Sequence, residues 1–282
     1  MNLLTPDLTR SLIEAALLED APEGDLTARL VIPDDARVNA EMIVKQPGVL
    51  AGVGPATTAF EMTASQDGTD LTVEWSRADG DEVSAGEVVA RVEGAAPTVL
   101  RAERVAINLL SHLSGVATLT RAYVRAAAPA QVLCTRKTLP GLRGLEREAV
   151  AAGGGTLHRA SLSDAVLIKD NHLRIVGSVA AAVQRAKDGG VPVEVEVETL
   201  SQLDEAVAAG ADRILLDNFG PAQVAEAIGR VGDADRLEIS GGVTLDTIGD
   251  FARAGARWIS VGRLTHSAPG LDLSLEVTDA DG

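Results

Sequence analysis

The chain has 282 residues, a formal net charge of −16 at pH 7, and a composition 46% hydrophobic, 23% charged and 2% aromatic. This balance excludes a disordered or fibrous chain, and an acidic average surface argues against nucleic acid or an anionic membrane as partner, because both would repel it. The single cysteine, Cys134, excludes an intrachain disulfide framework and a multi-cysteine metal site.

The first twenty residues carry Asp7, Glu14, Glu19 and Asp20 and lack the basic region and long apolar core of a secretory signal. No apolar run approaches the roughly 18 to 20 residues that span a bilayer. A soluble, cytoplasmic protein of one large or two modest domains is the expectation.

In chain order, a helical pattern near 8–20 precedes strand-like ARVNAEMIVKQPGVLAG (36–52), helix-like GPATTAFEMTA (54–64) and then DLTVEWSRADGDEVSAGEVVARVEG (70–94), where ADGD and SAG are turn signals. This part reads as α+β. A long helical pattern over 102–128 leads to a different rhythm. Strand-like runs QVLCTR (131–136), AVLIKD (165–170), VPVEVEVE (191–198), RILLDN (213–218), RLEISGG (236–242) and WISVGRL (258–264) alternate with helical patterns, several ending in glycine. From Ala165 the strands recur roughly every two dozen residues, the cadence of a parallel α/β structure. Six strands fall short of a closed eight-stranded barrel.

Charge is distributed unevenly along this second part. The window 134–172 holds six cations (Arg136, Lys137, Arg143, Arg147, Arg159, Lys169) against four carboxylates (Glu146, Glu148, Asp164, Asp170), a net +2 that leaves −18 for the rest. Strand alternation in VEVEVE sets Val193, Val195 and Val197 on one face and Glu194, Glu196 and Glu198 on the other. A covered parallel sheet is normally apolar on both faces. Either this is an edge strand with a solvated face, or the glutamates face a barrel interior where Lys169 and Lys137 neutralise some of them.

Every strand-like run also ends in polar groups: Thr135–Arg136–Lys137 with Thr138, Lys169–Asp170–Asn171, Glu198, Asp217–Asn218, Ser240–Gly241–Gly242, and Val261–Gly262–Arg263 through His266. In α/β barrels strand C-termini converge on one mouth, where active sites are built. Glu198 and Asp217 suit Mg²⁺, a hard cation that prefers oxygen and is commonly shared with substrate phosphates. Arg136, Lys137, Arg159, Lys169 and His158 suit a multiply anionic ligand. The glycines of 240–242, expected at a helix N-terminus, and those near 262 suit a phosphate clamp.

Other motifs read as structural. Gly153–Gly155 lack a following Gly-Lys-Ser/Thr and read as a turn delivering His158 and Arg159. A Schiff-base role for Lys169 is opposed by Asp170 and the glutamate face. The hairpin GDEVSAGEVVARVEG (80–94) resembles a biotinyl carrier but lacks the acceptor lysine. His112 reads as a satisfied, partly buried histidine, and Cys134 as a small strand hydrophobe.

Taken in order, ERVAINLLSHLSGVAT (103–118), TRKTLPGLRGLEREAVAAGGGTLHR (135–159), LIKDNH (167–172), VEVE (195–198), LLDNF (215–219), ISGGV (239–243) and ISVGRLTHSAPGLDLSL (259–275) resemble the nicotinate-nucleotide pyrophosphorylases, that is, the quinolinate phosphoribosyltransferases of de novo NAD synthesis. The resemblance implies an incomplete α/β barrel of six or seven strands (113–267), an α+β N-terminal sandwich domain (1–112), and a tail (268–282) packed with the latter. It implies that quinolinate and 5-phosphoribosyl 1-diphosphate become nicotinate mononucleotide, diphosphate and CO₂, with Mg²⁺. Arg136, His158, Arg159 and Lys169 would then hold the quinolinate carboxylates, with Arg104 entering from the other subunit of a homodimer or hexamer. Lys137, Glu198 and Asp217 would serve the phosphoribosyl diphosphate and its Mg²⁺; Ser240, Gly241, Gly242, Val261, Gly262, Arg263 and His266 would surround its 5-phosphate, and Thr135 and Thr138 would flank the site. The alternative within this fold is a paralogue of a molybdenum locus acting on another aromatic acid.

Overall fold

The computed structural model describes residues 6–281, with side chains from Asp7 to Asp279. The described residues form two compact units, one of 6–119, 139–154 and 267–281, the other of 120–138 and 155–266.

The first unit opens with helices α1 (Pro6–Asp20) and α2 (Leu26–Val31), strands β1 (Arg37–Val44) and β2 (Gly48–Val49), helix α3 (Val53–Asp67), strands β3 (Leu71–Trp75), β4 (Glu82–Val83) and β5 (Val88–Ala95), and the long helix α4 (Ala96–Ala127). Residues 96–119 of α4 belong to this unit and 120–127 to the other. The C-terminal strand, numbered β12 (Leu273–Asp281) in chain order, joins an antiparallel sheet of order β12-β1-β5-β3. Alternation governs this sheet: Val38, Ala40, Met42 and Val44 of β1 are buried while Arg37, Asn39, Glu41 and Ile43 turn outward or lie half-buried. Phe60 of α3 and Ile13 of α1 are fully buried.

Segment 139–154 groups with these residues and carries helix α5 (Arg143–Ala152). Its Glu146 is fully buried and has two partners: His112 Nε2 at 2.8 Å and the backbone N–H of Leu139 at 3.2 Å. His112 is therefore the satisfied, partly buried histidine expected from its place in a helix.

The second unit alternates β6 (Gln131–Leu133), β7 (Val166–Ile168), α6 (Asp170–Val176), α7 (Val179–Lys187), β8 (Val193–Val197), α8 (Leu200–Ala208), β9 (Arg213–Asp217), α9 (Pro221–Val231), β10 (Leu237–Ser240), α10 (Ile248–Arg253), β11 (Trp258–Ser260) and α11 (Arg263–His266). The strands pair in parallel in the order β6-β11-β10-β9-β8-β7. That is the order of a barrel opened between its first and second strands, the incomplete six-stranded barrel expected from the sequence.

Local chemistry sets the helix limits. Ser178 and Thr199 cap α7 and α8 by accepting the N–H of Ala181 and Gln202, and Gly232 closes α9 at φ 71°. One expectation needs correcting. The 240–242 glycines do not stand at a helix N-terminus: α10 begins only at Ile248, because Gly241 and Gly242 take positive φ (86° and 61°) and a Thr244–Thr247 turn intervenes. The parallel sheet is buried on both faces, every residue of β8 included.

Candidate active site

Beyond the strand ends of the second unit lies a cavity of about 660 Å³. Thr135, Arg136 and Lys137 line it just past β6, His158 and Arg159 from the chain between α5 and β7, Lys169 from the residue after β7, and Asp217 from the end of β9. Ser240, Gly241, Gly242, Val261, Gly262, Arg263 and His266 complete the part of the wall expected from the sequence. Two expected residues, Thr138 and Glu198, do not line it, and neither does Arg104, which is expected to serve a neighbouring subunit. Arg104 lies on α4 within the first unit, its side chain 68% exposed and 3.7 Å from Glu103; Thr138 follows Lys137, half-buried, with its hydroxyl 3.4 Å from the Arg136 carbonyl; and Glu198 is exposed just after β8, its N–H bonded to Gln202.

The cationic pair separates as strand alternation requires. Arg136 lies near enough to Arg159 to disfavour that guanidinium's charge, an effect added to the larger one of burial, so the Arg159 pKa is lowered. Lys137 lies on the other side, where a Cβ added at Gly262 would come within 3.0 Å of its Cδ and 3.4 Å of His266 Nε2. The Lys137 carbonyl accepts the Thr265 hydroxyl at 2.7 Å, and its N–H donates to Thr135 Oγ1 at 3.1 Å, which hold this segment in place. Arg136 Nε is buried with no hydrogen-bond partner among the described residues. A buried charged donor without a partner is expensive; Arg136 also lines the cavity, where its guanidinium charge is available to an anionic ligand.

The glutamates of β8 do face inward, and each finds a cation. Lys169 pairs with Glu196, which is 7% exposed and lines the cavity. Glu194 and the fully buried Glu238 of β10 flank His158 Nε2 at 3.3 and 3.4 Å. Arg213 reaches the same pair, at 3.6 Å from Glu238 and 4.0 Å from Glu194, with its guanidinium 4.8 Å from the Trp258 ring centre. Ser260 donates its hydroxyl to Glu238 at 2.5 Å.

Burial by itself would lower the His158 pKa, but the two carboxylates outweigh it and raise the value to about 9. One contact opposes them: Nδ1 accepts the backbone N–H of Arg159 at 2.8 Å, so a proton on Nδ1 requires that contact to open. Two carboxylates at close range prevail over one amide dipole. Glu238, which burial would push up, is held below the ordinary carboxylate range by His158, Ser260 and Arg213. The ligating atoms of His158, Glu194 and Glu238 lie within 4.8 Å of one another. Arg213 already supplies their countercharge, which makes this an ion cluster and not a metal centre.

Glu196 reaches the wall from the glutamate face that strand alternation turns inward. Cys134, Leu167, Leu215, Glu238, Val243, Thr244 and Ser260 line the cavity too and are not marked by the strand-end pattern, although Glu238 stands two residues before Ser240. Cys134 is fully buried, with the His158 N–H at 3.5 Å from its sulfur.

The fold and this cavity define an α/β protein of the incomplete-barrel type whose strand ends line a cavity rich in cationic side chains. Comparison narrows the class. The chain belongs to the quinolinate phosphoribosyl transferase family, whose N-terminal domain matches residues 25–114 and whose C-terminal domain matches residues 116–276. It is 40% identical over 274 residues to the probable nicotinate-nucleotide pyrophosphorylase [carboxylating] of Bacillus subtilis (strain 168), covering 95% of this chain and 93% of that one. With the nicotinate-nucleotide pyrophosphorylase [carboxylating] of Mycobacterium leprae (strain TN) it shares 40% identity over 279 residues, 96% of this chain and 98% of the other. The solved nicotinate-nucleotide pyrophosphorylase of Francisella tularensis superposes with a TM-score of 0.91 at 35% identity, covering 98% of each chain.

Proposed function

We propose that the protein is a quinolinate phosphoribosyltransferase (decarboxylating), which converts quinolinate and 5-phosphoribosyl 1-diphosphate to nicotinate mononucleotide, diphosphate and CO₂ in de novo NAD synthesis. The observation that carries this reading is Arg136. It lines a cavity that also holds Arg159, Lys169 and Lys137, which is the cationic provision a dicarboxylate beside a diphosphate demands. Arg136, Arg159 and Lys169 hold the two carboxylates of the pyridine, and His158 adds charge from the floor. Lys137, with the 240–242 and 261–263 turns and His266, receives the phosphorylated sugar. Thr135 braces Lys137.

The chemistry follows from alignment. The pyridine nitrogen bonds to ribose C1 as the C1–O bond to diphosphate breaks, and positive charge builds on the sugar ring. Asp217 stabilises that charge and Lys137 the leaving diphosphate. The nitrogen is then cationic, so the adjacent carboxylate leaves as CO₂ with its electron pair remaining on the ring carbon, which takes a proton from solvent. No side-chain nucleophile is required.

Asp217 presents oxygen ligands at the cavity wall, and oxygen donors fit Mg²⁺. Glu196 is engaged by Lys169, so Asp217 is the carboxylate at the wall that would hold the ion together with substrate phosphates, and Glu198, exposed just after β8, would join it only by turning inward. Bound there, Mg²⁺ would neutralise diphosphate charge. Arg104, exposed on α4, would complete the cavity of a neighbouring subunit in a homodimer or a larger assembly. Among the described residues no helix is long and apolar enough to cross a membrane; the cytoplasm is the proposed location.

Purified protein supplied with quinolinate, phosphoribosyl diphosphate and Mg²⁺ should release CO₂ in step with nicotinate mononucleotide. Arg136→Ala should weaken quinolinate binding by about 1.5–3 kcal/mol, one charged hydrogen bond. An Arg136→Ala variant with wild-type quinolinate affinity would remove the basis of the assignment.

A further inference from the structure

Among the described residues Asn218 is the one non-glycine residue with a left-handed backbone, at φ 60°. That conformation is uncommon outside glycine and strained for most side chains, asparagine being among the better tolerated. The residue follows Asp217 directly. Its side-chain nitrogen donates to Asp217 Oδ2 at 2.8 Å, and its backbone N–H donates to the Ser240 carbonyl at 2.9 Å. A carboxylate only accepts, so the amide nitrogen must face Asp217, which turns the amide oxygen toward Gly241.

Packing at Gly241 confirms how close this is. A Cβ added there would come within 2.7 Å of both the Asn218 side-chain carbon Cγ and its backbone nitrogen, and Gly241 itself has φ 86°. The glycine is therefore required twice, for its backbone angle and for the space Asn218 occupies. Asn218 does not line the cavity, whereas Asp217, Ser240, Gly241 and Gly242 all do.

We propose that Asn218 is a positioning residue: its amide fixes the Asp217 carboxylate in the orientation that meets the phosphorylated substrate, while its left-handed backbone brings its own N–H to the Ser240 carbonyl and so braces the 240–242 turn. The inference rests on the functional reading above and adds to it a link between two parts of the phosphate side of the cavity. A freely rotating Asp217 would have to be ordered at each binding event, and the loss would fall on the phosphorylated ligand and not on the pyridine diacid.

Calorimetric titration of the full chain with inorganic diphosphate plus Mg²⁺, and separately with quinolinate, tests this. Asn218→Gly keeps the backbone angle and removes only the amide. Diphosphate affinity should fall about tenfold, the scale of one charge-assisted hydrogen bond, while quinolinate affinity and the unfolding midpoint stay as in wild type. Asn218→Ala should show the same diphosphate loss together with a lower midpoint, because alanine is strained at this angle. Undiminished diphosphate affinity in either variant, or parallel weakening of both ligands, would overturn the inference. If wild-type protein bound neither ligand, the functional reading would fall and take the inference with it.

Discussion

The two sheets use the same charged residue types to opposite effect. In the antiparallel sheet, strand alternation turns charges outward, where Arg91 meets Glu41 directly across the β1–β5 ladder at 3.1 Å with its side chain 69% exposed. In the parallel sheet both faces are covered, and Glu194, Glu196, Glu238 and Arg213 sit within the strands themselves. Ion pairs of the first kind form in a medium that screens them and contribute little. Those of the second kind have lost their water, so each depends on the partners it has. The difference separates charges that merely decorate a surface from charges that shape a ligand cavity.

The sharpest way to break that contrast is to remove one member of the buried cluster. Glu238→Ala leaves Arg213 and His158 with only Glu194 as counterion, and urea titration should show a loss of about 3–5 kcal/mol. A loss below 1 kcal/mol would put the buried cluster in the same class as the surface pairs.

Titration sharpens it further. The folded His158 pKa of about 9 lies above its ordinary value of 6.5, so its contribution is complete below pH 6.5 and is lost as pH rises through 9. Stability should decline across that window by about 1–2 kcal/mol, reduced from the full linkage because the Arg159 N–H contact must open. His158→Gln should abolish the slope. Glu238, held below its ordinary value, contributes in the opposite sense: its share is present above pH 4.5 and disappears as acid lowers the pH through its folded value. A wild-type profile that is flat between pH 6.5 and 9 would mean a neutral His158.

The smallest effect belongs to the antiparallel sheet. Glu41→Ala or Arg91→Ala should change stability by at most about 1 kcal/mol, and 0.5 M salt should erase most of that. A larger loss would show that exposure does not divide the two sheets.

Much of the fold and the cavity was legible in the chain. Period-2 alternation, glycine-terminated helical patterns and the regular cadence after Ala165 located all six parallel strands, because each is a local regularity of side-chain direction or backbone freedom. Polar residues at the strand ends located most of the cavity wall for a similar reason, since a strand's last residues must face one end of a parallel sheet. Local regularity says nothing of partners. That Lys169 meets Glu196, that His158 lies between Glu194 and Glu238, and that Arg213 closes the cluster depend on residues drawn from different strands at the same height.

The same limit explains the differences. Glu196 and Glu198 share a strand face, but β8 ends at Val197, so Glu196 is carried into the cavity wall and Glu198 into solvent. The 240–242 glycines precede a helical pattern, yet their positive φ angles spend several residues on turns before α10 starts. By itself the sequence determined the order and type of elements, the gathering of cations in one window and the pairing of opposite side-chain directions at Arg136 and Lys137. Tertiary structure alone decided which carboxylate neutralises which cation, how far each pKa moves, and that Asn218 adopts the left-handed turn joining Asp217 to Gly241, because these follow from distances between strands that no local pattern encodes.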